Sequence, residues 1–415
     1  MSVTDPLTSK HSSASGAVQV SEAVKPRSLE LDAILEAIAL DARERRERGK
    51  RELPFNAIEQ IKKSRLGAFR LPADQGGSGA TLKELFSFLI RLAEADPDAA
   101  HALRYHYYQV EQFLAEPDSA ERESWLKRVA NGDLIGNSFA ERTSRDVGIY
   151  NFETALTPDG EGFRLNGKKY FCTGTLFADW VAVLATNVEG QTVSIFIPAN
   201  RGGVIIRDDW DGIGQQLTGS GTTEFDHVYV NADEVKLANE QHTRLKSFLQ
   251  IYLQALIAGI LRNIASDAGD LLKSRKRTFT FAAASRPEED PQLLQIAGEL
   301  ASTAFAAEAI VLAVADTLDE ATAQAHEGSV PSEWVHKAAL ESAQAKVVID
   351  QLALKAATDL FDVGGASATR QSAGFDRHWR NIRTLASHNP VPYKARTVGD
   401  YVVNGNELPI SGAYF

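Results

Sequence analysis

"FETALTPDGEGFRLNGKKYFCTGTLFADWVAVLATN", residues 152–187, is the stretch on which the fold turns. Short apolar runs alternate with polar residues here, and Pro158-Asp159-Gly160 and Asn166-Gly167 are turn signals between them. "TVSIFIPAN" (192–200), "VIIRDDW" (204–210) and "TEFDHVYVNADEV" (223–235) continue the pattern. The spacing predicts a small all-β domain over residues 133–237.

Both flanks read as helix. "LELDAILEAIALDARERRERGKREL" (29–53) has apolar residues at helical spacing and a dense charged face. "PFNAIEQIKKSRLGAF" (54–69) starts at a proline and stops near Gly67. Two more helices follow in 81–116, broken near Asp96-Pro97. An N-terminal helical domain is therefore expected over 28–132, after a disordered tail at 1–27. Beyond the β domain, 238–415 is expected to form a C-terminal helical bundle and tail. Its long apolar segments suit a four-helix bundle, and an apolar face wider than one bundle can bury would drive self-association.

Bulk properties narrow the function. The chain has 415 residues, with 44% apolar and 24% charged residues, ordinary for a globular protein. Its net charge of -11 argues against nucleic acid and against an anionic membrane surface. No apolar run is expected to cross a bilayer, and the Ser- and Thr-rich N-terminus lacks the apolar core of a secretory signal, so a cytoplasmic location is expected. There is one cysteine, Cys172, and one methionine, Met1, which excludes an internal disulfide and a cysteine metal cluster. Such sulfur poverty is what a protein made under sulfur scarcity would gain from; chance in an alanine-rich sequence is the competing explanation. No Rossmann fingerprint or Walker loop is present.

Several motifs carry chemistry. "NGKKYFCTGTLFADW" (166–180) offers Phe171 as an aromatic shield and Thr173 as a hydroxyl at a strand edge. "GNSFAERTSRD" (136–146) contains Asn137. "SRKRTFTF" (274–281) clusters Arg275, Lys276 and Arg277, and guanidinium matches phosphate oxygens. "DVGGASATR" (362–370) offers Gly364 and Gly365, where backbone can approach a ligand, and Arg370; a helix terminator looks the same. "AHALRYHYYQ" places His101 and Tyr105 four apart, on one helical face, with His106 as a competing histidine. "FDRHWRNIRTLASHNPV" (375–391) packs arginines, a tryptophan and His388 together. It reads either as an amphipathic helix or as the lining of an anion site.

Helices, a β domain and a helical bundle, with these motifs, resemble the acyl-CoA dehydrogenase superfamily. Within it the chain is most similar to the reduced-flavin monooxygenase branch that includes the dibenzothiophene monooxygenases. The resemblance covers residues 29 to the C-terminus and implies an α+β fold with a central β-barrel or sandwich. It places Phe171, Thr173, Arg277, Gly364, Gly365 and Arg370 at the flavin, the Gly-Gly turn often reaching it from a neighbouring subunit. It makes His101, Tyr105, Asn137, Thr173 and His388 the active-site set.

Departures from the dehydrogenases matter as much. Their catalytic Glu falls on Asn389 here, and the alternative position of that base falls near Tyr252, beside Gln250 and Ile251. An amide cannot remove an α-proton at neutral pH. The resemblance thus implies a two-component monooxygenase that takes reduced FMN from a separate NAD(P)H-dependent flavin reductase, uses O2, and needs no metal. With the sulfur-poor composition, it points to a sulfoxide, sulfone or sulfinate substrate in sulfur assimilation and to a homotetramer. An N-hydroxylase or aromatic hydroxylase of the same fold, an FAD-dependent acyl-CoA dehydrogenase and a non-catalytic helical assembly module remain as alternatives.

Overall fold

The computed structural model describes residues 23–142, 152–238, 246–326 and 329–410. Helices α1 (Leu29–Glu47), α2 (Phe55–Lys63), α3 (Leu82–Ala95), α4 (Pro97–Ala102), α5 (Arg104–Ala115) and α6 (Ala120–Ala130) come first. Local chemistry sets their ends. Thr81 and Glu84 form a reciprocal capping box at the start of α3. Asp96, held extended before Pro97, closes α3 and accepts from the Asp98 and Ala99 amides to open α4. Ahead of α1, Val24 is already buried in the core, so ordered packing begins inside the segment expected to be tail.

Eight strands follow: β1 (Ile135–Ser138), β2 (Ala155–Asp159), β3 (Gly162–Lys169), β4 (Trp180–Thr186), β5 (Thr192–Pro198), β6 (Val204–Ile206), β7 (Thr223–Val230) and β8 (Val235–Leu237). They make one sheet in the order β6-β7-β3-β2-β4-β5-β8, with β1 parallel to β4. Pro158-Asp159-Gly160 forms the expected β2–β3 hairpin. Asn166-Gly167 does not form a turn: it is an irregularity inside β3, between Leu165 and Gly167 in the pairing with β7. Asn166 Oδ1 accepts from the His227 amide at 2.9 Å, so its side chain occupies a main-chain donor of the partner strand.

The C-terminal part holds α7 (Lys246–Ser274), α8 (Pro291–Ala323), α9 (Ser332–Gly364), α10 (Asp376–Ala386) and α11 (Val391–Asn404). Three helices are long; the short α10 and α11 pack on α9 where a fourth long helix was expected. The N-terminal helices and the bundle share one hydrophobic core, in which Phe86 of α3 packs against Phe248 and Tyr252 of α7. Gly259 permits close contact between these helices: a Cβ there would lie 2.3 Å from the Ile90 carbonyl oxygen.

Against expectation, α7 and α8 are each long and apolar enough to cross a membrane. α7 is so because it is the central core helix, buried through most of its length. α8 is less covered within one chain and leaves Leu294 49% and Phe305 75% exposed.

Candidate active site

The break between α4 and α5 puts His101 and Arg104 on either side of Leu103, facing the start of α7 and the α10–α11 junction. Arg104 Nε and Nη2 donate to the Leu249 carbonyl at 3.1 and 2.9 Å, and its Nη1 meets His388 Nε2 at 3.1 Å. A guanidinium has no lone pair to offer, so Nε2 of His388 must accept. His388 is therefore neutral, with its proton on Nδ1. Its ring edge is open at the cleft mouth, yet the enclosing protein and then Arg104 hold its pKa well below the ordinary value. His101 Nδ1 donates to Gln215 Oε1 at 2.9 Å, which leaves Nε2 as a free lone pair. Burial, then Arg104, push His101 down to about 3, so it too is neutral. Both histidines are suited to accept or donate hydrogen bonds in neutral form, and neither is a standing acid.

A ladder of polar groups runs from His101 into the β domain. Gln215 passes from His101 to Thr218, whose Oγ1 donates to the Gln215 carbonyl at 2.9 Å. Thr218 and Ser220 hydroxyls lie 2.6 Å apart, and Ser220 and Thr173 hydroxyls 2.8 Å apart. Thr173 is not on a strand edge, as expected, because β3 ends at Lys169; it sits in a turn that opens with Phe171 at φ +57°. Gly174, at φ +80°, brings this turn onto α4, where a Cβ would fall 2.0 Å from the Ala102 carbonyl oxygen. Asn381 Oδ1 accepts from the Gln215 amide at 2.8 Å, tying the same loop to α10.

The two positions where the dehydrogenases carry their base converge. Asn389 Nδ2 donates to Gln250 Oε1 at 2.6 Å, so an amide pair stands where a carboxylate would be needed. The Tyr252 hydroxyl is buried and donates to the Ala100 carbonyl at 2.7 Å.

Other expected residues divide. His106 is structural: Nε2 donates to the Gly67 carbonyl at 3.0 Å and Nδ1 accepts from the Ile135 amide at 3.2 Å, so both ring nitrogens serve the backbone. Tyr105 is not on one continuous helix with His101, because Leu103 ends α4; its hydroxyl donates to Gln109 and its ring packs edge-on against Phe139. Asn137 lies on β1, and its carbonyl accepts from Thr175 Oγ1. Residues 143–146 of its motif lie outside the described residues. The arginines of "FDRHWRNIRTLASHNPV" hold the fold: Arg377 pairs with Asp267 of α7, Arg380 with Asp376 and the Ile213 carbonyl. His378 meets Asp267 at 2.7 Å.

Comparison with known proteins agrees with this architecture. The acyl-CoA dehydrogenase middle-domain model matches residues 140–228 and the acyl-CoA dehydrogenase C-terminal-domain model residues 251–392. A dibenzothiophene monooxygenase of Mycolicibacterium goodii is 31% identical over 85% of this chain and 88% of that protein. TdsC from Paenibacillus sp. A11-2, solved with FMN and indole, superposes with a TM-score of 0.83 at 27% identity, over 93% of this chain and 98% of that one. Methanesulfinate monooxygenase MsuC from Pseudomonas fluorescens gives 0.82 at 27% identity, over the same shares.

The chain belongs to the flavin-dependent monooxygenases of the acyl-CoA dehydrogenase superfamily. As a flavin-dependent monooxygenase it uses reduced FMN with O2 and depends on a flavin reductase for its supply. The residues present fit the flavin. Phe171 stands 48% exposed, with Trp210 edge-on at 6.0 Å and the Arg142 guanidinium 5.6 Å from its ring centroid, an aromatic surface still open to a further ring. Gln215 Nε2 is buried without a protein partner, and the Thr173–Ser220 hydroxyls lie alongside.

The expected phosphate-binding residues of this monooxygenase lie elsewhere. Arg277 is exposed just past the C-terminal end of α7. Arg275 there donates to the Val363 carbonyl at 2.7 Å, which brings the end of α9 alongside. Gly364 ends α9 and packs on Leu271, and Gly365 caps it at φ +60°, ψ −153°, a conformation only glycine adopts without strain. Arg370 is exposed beyond it. The 29-residue α7 is about 43 Å long. The set therefore lies at the opposite end of this helix from Leu249 and Gln250, which meet Arg104 and Asn389.

Sequence reasoning missed Arg104, Gln215, Ser220 and Trp210. Arg104 follows His101 by three residues, a spacing that signals a shared site. The run from Trp210 to Gly221, dense in glycine, signals a loop pressed against other backbone.

Proposed function

We propose that this flavin-dependent monooxygenase oxygenates a small organosulfur compound as part of sulfur assimilation. The observation that carries it is the Asn389–Gln250 amide pair beside two neutral histidines. This centre cannot remove an α-proton, and it can hold a sulfur compound and O2 away from water. The names of its relatives span a neutral aromatic thioether and an anionic sulfinate.

Reduced FMN, when bound, supplies two electrons and activates O2 for transfer of one oxygen atom. Thr173, Ser220 and Gln215 would hold its polar edge, and Phe171 with Trp210 would cover its ring. His388, through Nδ1–H, would donate a hydrogen bond to the departing oxygen, while Arg104 fixes that tautomer. His101, through Nε2, would accept a hydrogen bond from water or substrate, with Gln215 fixing its orientation.

Arg277, Gly364, Gly365 and Arg370 would reach the flavin phosphate of a neighbouring subunit in a homotetramer. The exposed apolar surface of α8 and the length of α7 support that assembly. The test is turnover with a flavin reductase, NADH, FMN and 18O2. One labelled oxygen in the sulfur product is expected; thioester desaturation with an electron-acceptor dye, without label incorporation, would overturn the function.

A further inference from the structure

The cleft contains a positive charge that no carboxylate among the described residues answers. The arginines with the least accessible paired side chains are matched with acids: Arg45 with Asp41 and Asp96, and Arg70 with Glu111. Lys346 is matched with Asp350 at 2.7 Å. Arg104 differs. Its partners are a backbone carbonyl and a neutral imidazole. Three of its five N–H groups are used in these bonds, and two, one on each terminal nitrogen, have no partner among the described residues. The chain carries a surplus of acids, at net charge -11, yet among the described residues none is placed against this guanidinium. An enclosed cation without a counter-charge is costly to the fold.

Two further donors adjoin it. His388 accepts from Arg104 on Nε2, so its Nδ1–H is turned to other use. Gln215 Nε2, on a residue 1% exposed, has no hydrogen-bond acceptor. Donors from α5, from the α10–α11 junction and from the β-domain loop are thus left over in one cleft. Of the three arginines of α10, which the sequence suggested for an anion, Arg377 ties α10 to Asp267 of α7, Arg380 is paired with Asp376 and the Ile213 carbonyl, and Arg383 meets Ser387 at the end of its own helix.

We propose that the substrate is an anion, a small alkane- or arenesulfinate, and that Arg104 is the residue that selects it by binding its sulfinyl oxygens. This inference rests on the organosulfur function and narrows it. A sulfinate combines a full negative charge at neutral pH with a sulfur lone pair that can still take an oxygen. A sulfone has neither, and a sulfoxide or thioether lacks the charge. The balanced conversion is R–SO2⁻ + O2 + FMNH2 → R–SO3⁻ + FMN + H2O. One O–O bond breaks, one S–O bond forms from the sulfur lone pair, and the second oxygen leaves as water with two protons and two electrons from the reduced flavin.

The experiment is calorimetric titration of the oxidised-FMN holoenzyme with methanesulfonate, a non-oxidisable anion, and with dimethyl sulfone, its neutral counterpart. Sodium propanoate separates sulfonate recognition from general anion binding. Arg104→Gln removes the charge and keeps a donor for the Leu249 carbonyl; Arg104→Lys keeps the charge. Expected is sulfonate binding in the wild type and in Arg104→Lys, a loss of at least about tenfold in Arg104→Gln, and less than about twofold change for the sulfone. Unfolding curves of both variants confirm that the fold persists. Equal losses for sulfonate and sulfone, tighter binding of propanoate than sulfonate, or a loss confined to FMN affinity would overturn the assignment. If no organosulfur compound of any charge is oxygenated, the function falls, while sulfonate affinity still decides whether Arg104 marks an anion site.

Discussion

The two ends of α7 are built on opposite principles. Its N-terminal end meets Arg104, Asn389 and the α10–α11 junction in a cleft where Arg104, His388 and Gln215 each keep a donor to spare. Its C-terminal end presents Arg275, the exposed Arg277 and a glycine-rich helix stop to the outside. One end holds its groups by burial and hydrogen bonds; the other leaves cations free at the surface. The difference is what the proposed assembly requires, in which the ring edge would be served by one chain and the phosphate by another.

The largest expected effect is at the enclosed end. His388→Ala should lower turnover by about 10²–10⁴-fold while the protein still assembles and binds FMN, as followed by product analysis and light scattering. Unchanged turnover would remove His388 from the mechanism. At the exposed end, Arg277→Ala should weaken FMN binding by about 10–100-fold and leave turnover at saturating FMN largely intact, measured by flavin titration. Co-assembling His388→Ala subunits with Arg277→Ala subunits sharpens the comparison further. Mixed oligomers should recover activity at limiting FMN that neither parent has, and no recovery would mean that the two ends serve no common site.

A smaller effect separates structure from chemistry at the enclosed end. Gly67→Ala would press a Cβ to 2.7 Å from the clamped His106 Nε2, and should cost about 2 kcal/mol in urea unfolding without a matching change in KM. The smallest is a slope with pH. His101 is depressed to about 3, and His106 and His378 to about 4, chiefly by burial. In the unfolded chain they take up protons near pH 6.5, so stability falls from there toward pH 4. Asp98, raised to about 7 by burial and by Asp96, pulls the other way over the same range. The net fall should be shallower in His106→Gln, as followed by thermal unfolding.

The order of helices, strands and helices was legible because periodicity and turn chemistry are local. The β2–β3 hairpin followed from Pro158-Asp159-Gly160. Asn166-Gly167 carries an equally strong turn signal and became an irregularity in β3, because pairing with β7 at six positions outweighs a local preference. In the site, His101 and His388 were recoverable from motif position. The protonation state of His388 was not, since it is set by Arg104, 284 residues away in sequence. Gln215 was hidden for the same reason: its partners, His101 and Asn381, are supplied by α4 and α10.

Gly259 carries a consequence for any attempt to divide the protein. Because α3 crosses α7 with backbone nearly touching backbone, the leading helices are part of the bundle's interior and not a lid laid upon it. A recombinant fragment starting at β1 would strip Phe248 and Tyr252 of their cover and should aggregate.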